Sequence, residues 1–133
     1  MYKVTLKYVS TYKGDNMTGE QIGKLNELGV NIDETLERFV NNEDLYVRCL
    51  HKLANDKNYG LLQEAIDEQD ATKAFESAHA LKGVTANLGL QYLFNELKEI
   101  TEVFRAGSLD YNKDNLSRII DEYSKAIDII NDL

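Results

Sequence analysis

The sequence predicts an all-α protein, an antiparallel four-helix bundle with short additional N-terminal helices. Three observations lead there. The 133 residues include no proline and only 8 glycines, so little in the chain interrupts a helix. Apolar residues recur at spacings of three and four, the period of a helix with one buried face. Short polar connections separate the stripes, which makes successive helices antiparallel neighbours.

Residues 1–16 stand apart as a lead segment of undecided structure. Val4, Leu6 and Tyr8 alternate as in a strand, whereas Val4, Tyr8 and Tyr12 suit a helix face. Residues 17–133 read as the bundle and its cover. Thr18 with Gln21 forms a capping-box pattern for a short helix that stops near Gly29. Asp33 is expected to cap a second short helix through Leu36 and Phe39. Asn42 or Glu43 opens a longer one with Leu45, Cys49, Leu50 and Leu53. Asp56 to Gly60 interrupt or kink it before Leu61, Leu62, Ala65 and Ile66 resume the stripe. From Asp70 the spacing of Ala71, Ala74, Phe75, Ala78, Leu81, Thr85 and Leu88 predicts a long helix, stopped by Gly89 in a left-handed turn. Leu90, Leu93, Phe94, Leu97, Ile100 and Phe104 mark the next helix, ended by Gly107. Leu116, Ile119, Ile120, Tyr123, Ile127 and Ile130 mark the last.

The composition, 43% hydrophobic and 29% charged, is that of one soluble globular domain. With 15 basic against 23 acidic residues the net charge is −8, which argues against nucleic acid and anionic membrane as partners. A single cysteine, Cys49, excludes an internal disulfide and a thiolate-rich metal site. The N-terminus carries no long apolar run, so a cytoplasmic monomer without cofactor or metal is expected.

One place on the chain suits chemistry. On a wheel of the 71–88 helix, His79 lies about 120° from the centre of the apolar stripe, hence toward solvent. Gly83 and Ala86 follow on the same side, so the surface beside the imidazole carries almost no side chain. A glycine inside a helix costs roughly 1 kcal/mol against alanine, so something other than helix stability favours it there. Lys82, three residues on, can reach a group attached to the ring. Imidazoles are mostly neutral at pH 7, so one nitrogen offers a lone pair. Nucleophile, cation and cleared approach together suit capture of a phosphoryl group delivered by another protein.

Ala78-His79-Ala80-Leu81-Lys82-Gly83, followed by Asn87-Leu88-Gly89-Leu90-Gln91, resembles the signature of the histidine-containing phosphotransfer (HPt) domains of bacterial phosphorelays. The likeness extends from about residue 32 and includes Leu36-Glu37-Arg38-Phe39 and Glu43-Asp44-Leu45-Tyr46. It implies a four-helix bundle, with His79 as phosphoacceptor, Lys82 as the phosphoryl-stabilising cation and Gly83 as the opening for the partner. In some relatives a glutamine at the position of Gln91 hydrogen-bonds the histidine, so Gln91 is expected to orient His79. The implied partners are response-regulator receiver domains, with a hybrid histidine kinase as a further candidate. Any Mg²⁺ would belong to the partner's acidic site. The sequence departs from the family in Val84, where a small residue is common, and in Glu76, where basic residues are frequent.

Other residues read as structural. His51 sits off the apolar line beside Arg48 and Lys52, without the cleared surface. Cys49 lies on the apolar side, and Tyr46 and Tyr92 suit packing as well as binding. The chain has no glycine-rich phosphate loop, so it reads as a phosphoryl carrier rather than a kinase. Two alternatives are a helical adaptor whose histidine is idle and a chemotaxis-kinase-type phosphoacceptor module.

Overall fold

The computed structural model describes residues 17–133, so the lead segment 1–16 lies outside the described residues. Seven helices follow one another among the described residues: α1 (Gly19–Asn26), α2 (Ile32–Glu37), α3 (Glu43–Ala54), α4 (Asn58–Asp67), α5 (Ala71–Leu88), α6 (Gln91–Arg105) and α7 (Lys113–Asn131). The described residues are all-α, and the bundle reading holds for them.

Local chemistry sets most boundaries. Thr18 and Gln21 cap α1 reciprocally, each side chain accepting the other's backbone N–H at 3.1 and 2.8 Å. Asn42, Asp70 and Asn112 accept N–H groups of the first turns of α3, α5 and α7. The cap of α2 is Asn31, whose Oδ1 accepts the Glu34 N–H at 3.1 Å. Asp33, expected in that role, lies inside the first turn, where a carboxylate still favours the positive end of the helix. Asp56 Oδ1 accepts the Asn58 N–H and turns the chain from α3 into α4. Gly89 and Gly107, at φ 75° and 79°, make the left-handed turns after α5 and α6.

The packing is an up-and-down bundle. α5 lies between α4 and α6, α6 meets α7, and α3 touches both α7 and α5, which closes the ring. α3 and α4 thus act as one broken column. Tyr59 of α4 stacks on Tyr123 of α7 with centroids 3.7 Å apart, and the Tyr123 hydroxyl donates to the Leu53 carbonyl. Leu50, Leu53, Leu62, Leu81, Leu97, Ile100, Phe104 and Ile119 fill the interior. On α5 the buried residues Ala74 and Ala78 are small, which lets the neighbouring helices approach its axis.

The N-terminal elements cover one end of the bundle, where α5 turns into α6. The final carbonyls of a helix lack intrahelical donors. Here Arg38 donates to the carbonyls of Ala86 and Asn87 at 3.4 and 3.3 Å, and the buried Tyr46 hydroxyl donates to that of Leu88 at 2.9 Å. Tyr46 is therefore a packing residue, and burial pushes its hydroxyl pKa well up. The Tyr92 N–H donates to the Leu28 carbonyl and ties α6 to the cover, while the Tyr92 side chain stays exposed.

Glu43, 2% exposed at the start of α3, accepts the Met17 N–H at 2.6 Å. Burial pushes its carboxyl above the ordinary 4.5, and the donated N–H offsets this only in part. A carboxyl whose folded pKa is raised lends stability while protonated; the contribution is full below the unfolded value and is lost as pH rises through the folded one. Glu43→Gln keeps an acceptor for Met17 without the charge. Its stability relative to the native chain should therefore improve steadily as pH rises above about 4.5. Urea titrations at several pH values check this, and a difference that stays constant with pH would contradict it.

Candidate functional site

α5 buries Ala74, Ser77, Ala78, Leu81, Thr85 and Leu88, a stripe that fixes which residues must face outward. His79 is exposed in the middle of the helix, and Glu76, Ala80, Gly83 and Ala86 share its face. Beyond the imidazole the surface is therefore backbone and methyl groups for two turns. Lys82 is half-buried, and its ammonium forms no ion pair among the described residues. The stem of such a side chain can lie along the helix while its charge stays in water.

A Cβ built on Gly83 would meet nothing within 4 Å. Internal packing therefore does not demand glycine at this position, although propensity disfavours it. Gly89 is the opposite case, because a Cβ there would lie 2.4 Å from Thr35 Oγ1. The two glycines differ in kind: one is required by the fold and the other leaves open surface.

The imidazole has an aromatic neighbour. The Phe75 ring, one turn earlier and half-buried against the core, stacks on His79 with centroids 5.4 Å apart and planes 18° from parallel. Arg105, in the last turn of α6, places its guanidinium carbon 4.9 Å from the centre of the Phe75 ring. Glu102 holds that guanidinium through both carboxylate oxygens, at 3.3 and 3.2 Å from Nε. Helical spacing assigns Phe75 to the apolar stripe of α5 and gives no sign of Arg105. The spacing of Phe75 and His79 was visible in the chain, but the partner from α6 was not.

Gln91 does not take the place expected of it. It begins α6, and its amide donates to Asn95 Oδ1 at 2.8 Å. His79 lies nine residues before the end of α5, about 13 Å along the axis at 1.5 Å per residue, so Gln91 cannot reach the ring. The turn at Gly89 sends α6 back antiparallel, which brings its later turns alongside the middle of α5 and puts Arg105, in the last of them, level with Phe75.

His51 is half-buried in the last turn of α3, away from this face. Cys49 is half-buried too and lines a groove of 260 Å³ between α3 and α5 with Leu53, Val84 and Leu88. Among the described residues no cluster of three or more His, Cys, Asp or Glu side chains is arranged to hold a metal ion. No helix of the described residues is long and apolar enough to cross a membrane.

Against models of protein families, residues 54–128 match the Hpt domain. No curated protein and no solved structure matches the chain. The matched stretch runs from the last residue of α3 into α7 and includes the whole of α5 with His79. An all-helical bundle matched over more than half its length by that model belongs to the Hpt domain family, whose members carry phosphoryl groups in two-component relays.

Proposed function

We propose that this chain accepts a phosphoryl group on His79 from a receiver domain's phospho-aspartate and passes it to the aspartate of another receiver. The observation that carries the reading is the exposed imidazole beside an open Gly83 surface in the middle of a well-anchored helix. A neutral ring nitrogen attacks phosphorus, the N–P bond forms, and the P–O bond to the aspartate breaks. The carboxylate leaves with the receiver. The other ring nitrogen keeps its proton or releases it to water. The second transfer is the reverse reaction on a different aspartate, so the chain is a carrier and ends the cycle unchanged.

Two features support the assignment. The Lys82 ammonium is within one turn and offsets the charge of a phosphoryl group on the ring. The face of Ala80, Gly83 and Ala86 lets a partner's backbone come close enough for the two reacting atoms to meet at about 3–3.5 Å. The apolar groove at Val84 and Leu88 borders that face and offers a foothold for a receiver helix.

Receivers from the same genome, phosphorylated with a radioactive donor, provide the test. Label should pass to this chain within seconds for at least one of them, and should be acid-labile and base-stable, as a phosphoramidate is. Binding without label uptake across the whole panel would favour the adaptor reading, and labelling by a kinase with ATP alone would favour the chemotaxis-type module.

Gly83→Gln separates access from stability. The folded state has room for the new side chain and the helix gains propensity, so the denaturation midpoint should stay level or rise. Transfer should nevertheless fall by about a hundredfold, because an ångström of misplacement between reacting groups costs on that order. Normal transfer by the folded variant would show that the partner does not approach over Gly83.

A further inference from the structure

We propose that Phe75 and Arg105 are positioning residues for His79, and that they hold its imidazole in one orientation for phosphoryl transfer. The inference rests on His79 being the acceptor. Among the described residues no hydrogen bond is made to either imidazole nitrogen, so polar partners do not orient the ring. An exposed histidine on a helix otherwise samples several χ1 wells and a broad χ2 range. The Phe75 ring removes that freedom through contact with the ring face, at 5.4 Å and 18°. Both nitrogens stay open, one to attack and the other to carry the proton.

Phe75 is itself held from both sides. Its half-buried side chain packs against the core, and the Arg105 guanidinium lies over its ring. Arg105 is fixed in turn by Glu102, whose carboxylate receives its Nε–H. The series Glu102, Arg105, Phe75, His79 thus crosses from α6 to α5 and ties the imidazole's plane to the packing of the two helices. Phosphoryl transfer needs the nitrogen lone pair in line with the breaking P–O bond, so orientation translates into rate. The orienting role expected of Gln91 falls to an aromatic side chain instead.

The experiment compares the full chain with Phe75→Leu, Phe75→Tyr and Arg105→Gln. In the free protein, the imidazole protons of His79 should be displaced upfield by the Phe75 ring current. Phe75→Leu should return them to the positions of an exposed histidine, and Phe75→Tyr should restore the displacement. Under saturating phosphorylated receiver, Phe75→Leu should slow transfer about twofold, the population factor that such a pair on an exposed helix face commands. The half-saturating receiver concentration and the circular dichroism should not change, and Phe75→Tyr should recover the rate. Arg105→Gln should move both readouts the same way, by less. Unchanged imidazole resonances in Phe75→Leu, an unchanged saturating rate, or failure of Phe75→Tyr to restore either one would overturn the proposal. If Phe75→Leu does not fold, the surface change Arg105→Gln carries the same two readouts, and no effect on either would overturn it. If the native chain takes no label from any receiver, the acceptor reading fails, while the resonances still decide whether Phe75 orients the ring.

Discussion

His79→Gln is expected to abolish phosphate uptake from every receiver that labels the native chain, while His51→Gln leaves uptake intact. Glutamine keeps the length and polarity of the side chain but has no nitrogen lone pair that attacks phosphorus. The fold should not suffer, since His79 is exposed and makes no hydrogen bond within the described residues. What it loses is the contact with Phe75, a pair worth a few tenths of a kcal/mol on a helix. The two histidines differ in surroundings rather than in chemistry. His51 is half-buried on α3 and has no cleared face beside it. Lys82→Ala belongs to the same experiment: the transfer rate or the lifetime of the labelled species should fall without unfolding, because an exposed charge contributes at most about 1 kcal/mol to stability. Labelling that survives His79→Gln would place the acceptor elsewhere.

Gly89→Ala should produce the largest loss of stability, more than about 3 kcal/mol from backbone strain and overpacking together. The residue sits at φ 75°, a conformation that costs an L side chain roughly 1–2 kcal/mol. Its Cβ would also fall 2.4 Å from Thr35 Oγ1 and 3.1 Å from Thr35 Cγ2. Thr35 is 1% exposed, so it has no open space into which to turn. The site is where α2, α5 and α6 meet, and a shift there disturbs the hydrogen bonds at the end of α5. A double-mutant cycle divides the loss: Thr35→Ala should remove the clash and leave the backbone strain, so the double variant should be more stable than the two single losses predict. A Gly89→Ala midpoint within 1 °C of the native one would refute the argument.

Much of this fold is legible in the sequence because it is decided locally. Thr18, Asn42, Asp70, Gly89 and Gly107 each act within four residues of a helix end, and all of them do what their positions indicate. Asn31 caps α2 where the sequence points to Asp33, because both are good caps two residues apart and only the path of the preceding chain chooses between them. The exposure of His79 and the emptiness around Gly83 follow from the wheel. Arg105 over Phe75 does not, because it depends on how far α6 has run back along α5, a distance set by tertiary packing and not by spacing. The same ignorance of register misplaced Gln91.

Helix ends ordinarily fray, and amide protons there exchange with solvent through local opening. The end of α5 has little freedom of that kind. The carbonyls of Ala86, Asn87 and Leu88 are held by Arg38 and Tyr46, and the N–H groups of Gly89 and Leu90 donate back to Ala86 and Thr85. Deuterium should therefore enter amides 85–90 only as slowly as it enters the interior of the helix. The acceptor then stands on a rod clamped at its far end. Docking is then expected to be accommodated by side chains or by the partner rather than by opening of this end of α5.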